Sequence, residues 1–442
     1  MVDSLSGFPE WLPEQELVQQ RVIDVVREQF ELHGFVPVRT RSVERVEDLL
    51  SQGETDKEIY GLHRLAAEKD EEPGRGLALH YDLTVPFARY VAEHRGQLSF
   101  PFRRYQIQPA WRGERPQLGR YREFLQADAD IIGSGKLDVR HDSDLVRLLR
   151  STLDRLPVPR VKLLVNNRKI LEGFYRGLGI QDVTGTLRLV DKLPKIGAPR
   201  QAELLVQAGL RQDQADACIA LAGLELHGAD EIERVRALGV THPLLEEGLS
   251  ELGRLLADCA ADGRPGSVVG ALHIARGFDY YTGSVVEGVL EEHPKLGSVC
   301  SGGRYDNLAS MGSGSPLPGV GVSIGITRLL AYCFNLGLLK QKRRSPAHVL
   351  VVVHSEPERA LSDRVAVRLR ERAVPCVVSD SSAAYGKQIK AADQLGIPYV
   401  WFPAQGDKPD LIKDMQSGEQ KPVKVEDWTP DAATVGLRFS AE

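Results

Sequence analysis

The sequence predicts an α+β protein with a main domain built on an antiparallel sheet and a small α/β domain at the C-terminus. Three observations lead to this fold class. Two strands in which polar and apolar residues alternate lie between Phe102 and Gly133. Helical Leu- and Ala-rich segments fill residues 161–265, and short apolar strands alternate with helices after residue 345. Because 442 residues are too many for one hydrophobic core, we expect two to three domains.

The N-terminal region begins with an amphipathic helix from Glu14 to Phe30, where apolar residues recur at helical spacing. An extended segment, Phe35 to Val38, follows it. Further along, a strand beginning at Leu77 runs into a helix that starts near Pro86. Asp82 and Thr84 alternate onto one face of this segment.

Residues between Phe102 and Gly133 predict a β-hairpin with one polar and one apolar face. The loop from Gly113 to Gly119 contains the glycines and proline that suit a long hairpin connection. Strand alternation places these polar or aromatic residues on the same side: Gln106, Gln108 and Arg112 on the first strand, and Arg122, Phe124, Gln126, Asp128 and Asp130 on the second. This face is typical of a ligand platform, with arginine for phosphate and phenylalanine for stacking. A solvated sheet face is the alternative.

Three glycine-rich polar segments follow within about fifty residues: Arg276 to Gly283, Ser301 to Asp306 and Gly319 to Arg328. A buried arginine needs several acceptors and adjacent tyrosines each need a hydroxyl partner, so the first segment indicates a polar ligand pocket. An edge strand with a surface salt bridge is the alternative. The glycines at 319 and 321 do not make a dinucleotide site, because the third glycine, Gly325, comes one position late.

The C-terminal region is separated from the rest by a basic linker, Lys340 to Pro346. A helix from Arg328 to about Leu339 precedes it. Beyond the linker, strands alternate with helices, which predicts a largely parallel sheet. The strands are His348 to Val353, Cys376 to Val378 and Pro398 to Phe402, and the helices are Glu358 to Arg372 and Tyr385 to Leu395.

The composition of the chain limits the classes of partner, metal site and cellular location that we expect for it. With 56 basic and 61 acidic side chains, the net charge is -5, so a nucleic-acid partner must be held by a local patch. The five cysteines lie more than thirty residues apart, which predicts reduced core thiols and not a zinc knuckle or a disulfide framework. The N-terminus lacks an apolar signal core and no apolar run is long enough to span a membrane. We expect a cytoplasmic protein without a membrane partner.

Taken together, these segments resemble the histidyl-tRNA synthetases, a class II aminoacyl-tRNA synthetase family, along nearly the whole chain. Arg112 to Gln126 and Gly319 to Arg328 correspond to class II motifs 2 and 3, and Arg276 to Gly283 and Ser301 to Asp306 are similar to segments particular to the histidine enzymes. Tyr81 to Pro86 also matches in order and spacing. The resemblance implies a homodimer with a catalytic core in residues 1–160 and 266–339, an inserted helical domain in 161–265 and an anticodon-binding domain in 345–442.

The resemblance also implies roles for individual residues toward ATP, histidine and tRNA(His). Arg112 matches the motif 2 arginine on the α-phosphate, with Arg276 opposite it, and both are expected to be catalytic. The matched ATP-binding residues are Arg112, Glu114, Arg120, Phe124, Arg276 and Arg328, where Glu114 and Phe124 contact adenine and Arg328 contacts the γ-phosphate. The matched histidine-binding residues are Asp82, Thr84, Gln126, Asp130, Tyr280, Tyr281 and Tyr305. We expect Mg to bridge the phosphates and no metal site made by protein ligands alone.

The implied reaction agrees with the chemistry of these residue types. When the histidine carboxylate attacks the α-phosphorus of ATP, fixed guanidinium groups stabilise the charge that accumulates on the phosphoryl oxygens. An imidazole ring offers two nitrogens, and Asp130 with Tyr281 can satisfy both. The adenylate is then transferred to the 3′ end of tRNA(His). The alternatives are a regulatory paralogue that acts with ATP phosphoribosyltransferase in histidine biosynthesis, and an enzyme that adenylates histidine for another carrier.

Three positions depart from the family pattern. Arg41 replaces the motif 1 proline at the expected dimer seam, and Thr327 stands where motif 3 usually has a glutamate before its arginine. His80 replaces a frequent arginine. Without that glutamate, Arg328 is expected to lack its usual orienting partner.

Overall fold

The computed structural model describes residues 4–50, 58–63, 76–191, 196–263, 266–275, 281–306, 316–339 and 343–431. The helices in this part of the chain are α1 (Pro13–Leu32), α2 (Val46–Leu50), α3 (Thr84–His94), α4 (Arg140–Arg155), α5 (Arg168–Gly177), α6 (Val183–Val190), α7 (Ala198–Gln207), α8 (Gln212–Ala222), α9 (Glu233–Arg236), α10 (Pro243–Ala260), α11 (Ile326–Asn335), α12 (Arg359–Glu371) and α13 (Tyr385–Gln394). The strands are β1 (Val36–Pro37), β2 (Val43–Arg45), β3 (Gly61–Leu62), β4 (Leu77–Leu79), β5 (Phe102–Trp111), β6 (Glu123–Ile132), β7 (Val161–Asn167), β8 (Glu225–Leu226), β9 (Val268–Ala271), β10 (Ser284–Leu290), β11 (Ser298–Tyr305), β12 (Gly319–Gly325), β13 (Val349–Val351), β14 (Cys376–Val378), β15 (Tyr399–Phe402), β16 (Leu411–Asp414) and β17 (Gln420–Pro422).

Residue contacts divide the chain into two compact units. The first contains Met1–Pro9 and Asp24–Asn335, and the second contains Glu10–Ile23 and Leu336–Glu442. The sequence predicts residues 10–23 to be part of the catalytic core, whereas they group with the C-terminal residues, and Arg344 Nη2 lies 3.6 Å from Glu14 Oε1. Helical periodicity shows that one face of α1 is apolar, but it does not identify the partner of that face.

The first unit is organised around a nine-stranded sheet with the order β1-β5-β6-β12-β11-β10-β7-β9-β8. Five neighbours, β5-β6-β12-β11-β10, pair antiparallel throughout. The predicted hairpin is confirmed, since β5 and β6 pair along ten residues each, from Phe102 opposite Ile132 to Trp111 opposite Glu123. The fold class is therefore the predicted one, an antiparallel-sheet core with a second α/β unit.

The bounds predicted for the helical insertion differ from the structure at two strands. Residues 161–265 are expected to be an inserted helical domain, but the segment begins with β7, which pairs with β10 along its whole length. Strand β8 also belongs to the sheet, next to β9. The run of apolar residues in β7 is compatible with a buried strand or a buried helix, and only its pairing with a distant segment decides between them.

A second, three-stranded sheet, β2-β4-β3, lies before helix α3 in the first unit. The predicted strand ends at Leu79, so Asp82 lies in a turn and Thr84 is the first residue of α3. Asp82 Oδ1 accepts a hydrogen bond of 3.1 Å from Val85 N, one of the amides that a helix leaves unpaired at its start. Phe87 and Val91 of α3 are buried in an apolar cluster with Ile132 and Tyr305, so α3 is packed against the end of β6.

The second unit contains a five-stranded sheet with the order β14-β13-β15-β16-β17. Strands β14, β13 and β15 are parallel, as predicted, and β16 and β17 add an antiparallel edge that the sequence did not predict. Alternate residues of β13 enter different apolar clusters. Val349 and Val351 pack with Leu369 of α12, while Leu350 and Val352 pack with Ala392 of α13. Both faces of the sheet are covered, which explains the uninterrupted apolar character of its central strands.

All five cysteines are free thiols, and four of them are buried. Burial raises the pKa of Cys218, Cys300 and Cys333, which makes these thiols poor nucleophiles. In the part of the chain that the structure describes, no helix is both long enough and apolar enough to cross a membrane.

Candidate functional site

Strand register places small residues on β12 opposite polar residues on β6. Gly321 lies opposite Asp130, Ser323 opposite Asp128 and Gly325 opposite Gln126. A Cβ atom at Gly321 would collide with Asp130 Oδ1, so glycine leaves the room that the carboxyl group occupies. The small side chains of β12 open one face of the sheet and create two adjoining cavities of about 290 and 90 Å³. Arg112, Gln126, Ser301 and Ser323 line both.

The larger, outer cavity brings together five of the predicted ATP-binding residues: Arg112, Glu114, Arg120, Phe124 and Arg328. Arg112 is held on two sides, because its Nε donates to Tyr81 O at 2.9 Å and its guanidinium carbon lies 5.2 Å from the Phe124 ring centroid. Glu114 forms an ion pair of 3.0 Å with Arg120. Fixed guanidinium groups around an open, polar cavity are suited to a polyphosphate.

Arg328 is oriented by the backbone, although its preceding residue is Thr327 and not a glutamate. Its Nε donates to Gly119 O and its Nη1 donates to Ser298 O, both at 2.9 Å. Thr327 Oγ1 instead accepts from Leu125 N at 2.8 Å and so ties α11 to β6. Two backbone carbonyl groups thus supply the orientation that a carboxylate supplies in the family pattern.

The smaller, inner cavity brings together six of the predicted histidine-binding residues: Asp82, Thr84, Gln126, Asp130, Tyr281 and Tyr305. Burial raises the pKa of Asp82, while its hydrogen bond from Val85 N and the nearby Arg112 charge act in the opposite direction. Carboxyl groups, phenols and an amide surround a space about the size of a small ring. Such a lining suits a ligand that donates several hydrogen bonds.

Asp130 is already engaged by two neighbours within the protein. Its Oδ1 accepts from Tyr305 Oη at 2.5 Å, and its Oδ2 lies 2.8 Å from Arg104 Nη2. Arg104 is fully buried and lies directly opposite Asp130 on β5. Burial raises the pKa of Asp130, and the Arg104 charge and the Tyr305 hydroxyl partly offset that effect. The same burial raises the pKa of Tyr305 well above its ordinary value, so its hydroxyl remains a donor.

Asp128 also lines the inner cavity, and the sequence does not assign it a role. Strand alternation already places it on the polar face between Gln126 and Asp130, which is the signal that identifies it. The residue is only 3% exposed, and its Oδ1 has no hydrogen-bond partner among the described residues. Burial raises the pKa of Asp128 to about 7, and Asp130 and Asp82 add to this effect, whereas Arg104 and the Ser323 hydroxyl oppose it.

Gln106 and Gln108, which continue the polar face along β5, are buried, so the alternative of a solvated sheet face is wrong at these positions. Gln106 Nε2 donates to Thr40 Oγ1 at 2.9 Å and Gln108 Nε2 donates to Ser42 Oγ at 2.9 Å. These amides line neither cavity. They connect β5 to the segment after β1 and support the site from one side.

His80 and Arg41, the two other departures from the family pattern, both have contacts within the protein. His80 is buried, with its Nε2 2.7 Å from Pro109 O and its Nδ1 3.2 Å from Arg41 O, so its ring bridges two chain segments. The side chain of Arg41 pairs with Glu44 at 2.6 Å, and this contact is the main reason that the pKa of Arg41 is raised. Arg276 and Tyr280 lie outside the described residues, as does most of the segment from Arg276 to Gly283.

The Asp128 carboxyl group leads to a prediction about stability and pH. An aspartate in the unfolded chain has a pKa of about 3.9, and burial raises that of Asp128 to about 7. The stability that this group contributes is therefore fully present below about pH 4 and is lost as pH rises through about 7, because the unfolded state releases its proton first. We expect Asp128→Asn to gain melting temperature relative to the native chain as pH rises from about 5 to 8.

Parallel thermal melts of the native chain, Asp128→Asn and Asp24→Asn test this expectation. Asp24 is an exposed acid on α1, where its side chain is 52% accessible, so the same chemical change should give a difference from the native chain that barely varies with pH. If the difference between Asp128→Asn and the native chain is equally flat, the carboxyl group does not titrate in this range.

Comparisons with known proteins agree on one family. A family model described as histidyl-tRNA synthetase matches residues 7–329. The chain is 49% identical to the histidine–tRNA ligase of Micrococcus luteus, with 97% of this chain and 96% of the relative covered, and 50% identical to that of Cutibacterium acnes, with 96% of each covered. A crystal structure of histidyl-tRNA synthetase from Nostoc sp. PCC 7120 matches with a TM-score of 0.87 at 32% identity, covering 96% of this chain and 97% of that one.

A second solved structure shares the fold only. It is described as an ATP phosphoribosyltransferase regulatory subunit/histidyl-tRNA synthetase from Bacillus halodurans, and it matches with a TM-score of 0.71 at 22% identity, covering 87% of this chain and 94% of that one. The full-length relatives at about half identity favour the ligase over the regulatory alternative.

Proposed function

The chain belongs to the histidyl-tRNA synthetase family and has the histidine–tRNA ligase activity of that family, and we propose that its two adjoining cavities hold the two small substrates. ATP occupies the outer cavity and histidine the inner one. The observation that carries this assignment is the position of Arg112, which lines both cavities. The bond between histidine and nucleotide forms where the two cavities meet.

In this arrangement Arg112 stabilises the transition state of histidine activation. The histidine carboxylate attacks the α-phosphorus of ATP, the bond to pyrophosphate breaks, and negative charge grows on the phosphoryl oxygens. A guanidinium group held by Tyr81 O and Phe124 is positioned before the reaction, so little reorganisation is required. Arg276 is proposed as a second guanidinium on the same phosphate, from the family resemblance alone.

The other lining residues divide between the parts of the substrates. Glu114 and Phe124 contact the adenine, Arg120 contributes to ATP binding and Arg328 binds the γ-phosphate. Asp82, Thr84, Gln126, Asp130, Tyr281 and Tyr305, with Tyr280 from the resemblance, surround the histidine. A different amino acid would leave buried polar groups unpaired, which is a strong basis for discrimination.

Mg is proposed to enter with ATP, where its charge offsets that of the phosphates. Among the described residues, no group of three His, Cys, Asp or Glu side chains is arranged to hold a metal ion. This fits Mg, which usually keeps several waters and takes one or two carboxylates together with substrate phosphates.

Pyrophosphate exchange tests the proposed function directly. The chain is assayed with ATP, labelled pyrophosphate and each of the twenty amino acids in turn, and then with histidine and tRNA(His) for charging. We expect exchange with histidine alone among the twenty, followed by charging. A chain that binds histidine but supports neither exchange nor charging would be the regulatory paralogue, and one that exchanges without charging would serve another carrier.

The C-terminal α/β unit is proposed to bind the anticodon region of the tRNA, with residues 345–442 as the anticodon-binding domain. A tRNA(His) carrying 4-thiouridine in its anticodon loop is expected to crosslink to peptides between residues 345 and 431. The same probe in the acceptor stem should crosslink to peptides of the first unit. Anticodon-loop crosslinks confined to residues 24–335 would overturn this assignment.

We also propose that the protein is a cytoplasmic homodimer. Leu62 of β3 and Leu77 of β4 lie opposite each other in the three-stranded sheet and expose 41% and 53% of their surfaces. Apolar side chains that are exposed side by side are typical of protein interfaces. Light scattering should give twice the chain mass of 48.8 kDa, and a mass that stays at one chain mass at micromolar concentration would contradict the dimer.

A further inference from the structure

The loop between β5 and β6, residues 112–122, carries two of the side chains that are proposed to contact ATP. Glu114 and Arg120 both line the outer cavity, and their side chains form an ion pair of 3.0 Å. Within the loop, Gln117 N donates to Arg120 O at 3.0 Å and Arg120 N donates to Gln117 O at 2.8 Å. A surface loop is more mobile than the strands that it connects unless other segments hold it. The position of Glu114 and Arg120 therefore depends on the neighbours of the loop.

A turn near the N-terminus, Leu5–Phe8, holds the end of this loop at which β6 begins. This N-terminal turn is closed by a hydrogen bond of 3.1 Å from Phe8 N to Leu5 O. Gly7 O accepts two backbone hydrogen bonds, from Arg122 N at 2.7 Å and from Glu123 N at 3.2 Å. Ser6 O accepts a third hydrogen bond, from Arg122 Nη1 at 3.3 Å, which joins residues that are 116 positions apart in the sequence.

Arg122 connects the N-terminal turn to the first part of the loop. Its backbone carbonyl group accepts from Arg112 N at 2.8 Å, and its Nε donates to Glu114 O at 3.3 Å. Strand alternation predicts the Arg122 side chain on the ligand-facing side with Phe124, but β6 begins after Arg122 and the side chain reaches the N-terminal turn instead. Among the described residues, Arg122 is not part of the wall of the outer cavity. It acts on that cavity through Glu114.

The N-terminal turn lies so close to the loop that only glycine fits at position 7. Gly7 has a φ of +86°, in the left-handed region where a residue with a side chain is strained. A Cβ atom at Gly7 would also lie 2.9 Å from Arg122 Cγ and 2.9 Å from Pro116 Cγ, which is too short for a contact between carbon atoms. A side chain at position 7 therefore pushes the turn and the loop apart.

The other side of the N-terminal turn contacts a segment that also holds the start of the loop. The Phe8 ring packs on the Tyr60 ring, with 6.3 Å between the centroids. Tyr60 O accepts from Leu79 N at 2.9 Å, which ties this segment to the end of β4, and Glu58 O accepts from Gly113 N at 2.8 Å. The N-terminal turn and the beginning of the loop thus share one support.

We propose that the N-terminal turn is a positioning element for ATP, because it holds Arg122 and thereby keeps Glu114 and Arg120 at the outer cavity. This inference rests on the proposed assignment of ATP to that cavity. When the turn is displaced, the loop is in its ATP-binding position in a smaller fraction of the molecules, and the apparent affinity for ATP falls in proportion to that fraction. Histidine binding should be spared, since no residue from 113 to 122 is among the described residues that line the inner cavity.

Gly7→Ala tests the inference in the full-length chain, with Gly179→Ala as the matched control. Gly179 has a φ of +75° and nothing within 4 Å of a Cβ atom, so its substitution imposes backbone strain without a collision. In pyrophosphate exchange, we expect Gly7→Ala to raise the KM for ATP about 5- to 30-fold, as for the loss of about two hydrogen bonds. Its KM for histidine should stay within about twofold of the native value, and its kcat at saturating ATP within about threefold.

A merely structural role for Gly7 would give a different pattern. Partial unfolding removes active molecules, which lowers kcat and leaves the KM values for ATP and histidine unchanged. Gly179→Ala should show this pattern at most, because its strain is remote from the loop. A selective rise in the KM for ATP is therefore the result that distinguishes positioning from stability.

Trypsin cleavage after Arg120 reports the position of the loop without a catalytic assay. The Arg120 side chain is 47% accessible, and cleavage beside it tracks the fraction of molecules in which the loop is open. Without ATP, we expect Gly7→Ala to be cleaved after Arg120 at least about fivefold faster than the native chain, and Gly179→Ala at the native rate. Saturating ATP should remove most of the difference, since it binds the closed position.

A KM for ATP within about twofold of the native value in Gly7→Ala would overturn the inference, and so would an equal rise in the KM values for ATP and histidine. An unchanged rate of cleavage after Arg120 would show that the turn does not hold the loop, which also overturns it. A native chain without histidine-dependent exchange would instead refute the proposed function, whatever Gly7→Ala does in the cleavage assay.

Discussion

Replacing Arg112 by alanine is expected to slow histidine-dependent pyrophosphate exchange by about 10²- to 10³-fold, or about 3–4 kcal/mol in the activation barrier. Arg112 lies where the two cavities meet, and its charge acts on the phosphoryl oxygens as they become more negative. The loss should therefore appear mainly in kcat. Arg112→Lys keeps the charge but not the planar fork, so its rate should fall between those of the native chain and the alanine variant.

The fold should survive this change, because the side chain of Arg112 is one-third exposed and pairs only weakly with Glu114, at 4.0 Å. Arg27→Ala is the matched control, since Arg27 is a half-exposed arginine on α1 that pairs with Asp24. Melting curves of the three variants should overlap with that of the native chain. An Arg112→Ala enzyme that exchanges pyrophosphate within about fivefold of the native rate would remove Arg112 from the reaction.

Replacing Arg104 by methionine is expected to destabilise the first unit by about 3–5 kcal/mol. Arg104 is fully buried, its Nη2 lies 2.8 Å from Asp130 Oδ2 and its guanidinium carbon lies 3.9 Å from the Phe87 ring centroid. Methionine has a similar length but no charge, so the variant leaves the Asp130 carboxylate buried beside Asp128 with no cation in contact. Urea denaturation of the native and variant chains measures the difference.

The double variant Arg104→Met/Asp130→Asn distinguishes the loss of the ion pair from the loss of packing. It removes both charges of the pair, and the paired removal of buried charges is often close to neutral. We expect it to recover at least half of the lost stability. If the double variant is as unstable as Arg104→Met alone, the loss comes from packing against Phe87 and not from the unpaired acid.

Much of the site could be predicted from local patterns. Period-two alternation in β5 and β6 places Gln126, Asp128 and Asp130 on one face, and this follows from strand geometry alone. The structure brings Asp82, Thr84, Tyr281 and Tyr305 to the same inner cavity from separate segments, as their order in the resemblance implies. Such placements are predictable because side-chain direction is set within a few residues.

The partners of these side chains could not be predicted in the same way. The pairing of Arg104 with Asp130 and of Ser323 with Asp128 depends on the register between strands, and β6 and β12 are almost two hundred residues apart. A shift of two residues would keep every side chain on its face and change every partner. The orientation of Arg328 by Gly119 O and Ser298 O could not be predicted either. Every residue carries a backbone carbonyl group, so the residue types do not reveal which of them accepts a hydrogen bond.

The sequence by itself determined the elements and their faces: the hairpin of β5 and β6, the parallel strands of the C-terminal unit, and the polar segments that meet at the two cavities. Only the tertiary structure decided that β7 and β8 join the main sheet, that residues 10–23 group with the C-terminal unit, and that Asp130 meets Arg104 and Tyr305. The physical reason is the separation along the chain of the residues that interact. Periodicity and turn chemistry act over a few residues, whereas strand pairing, ion pairing and the satisfaction of buried polar groups depend on segments that meet only in the folded chain.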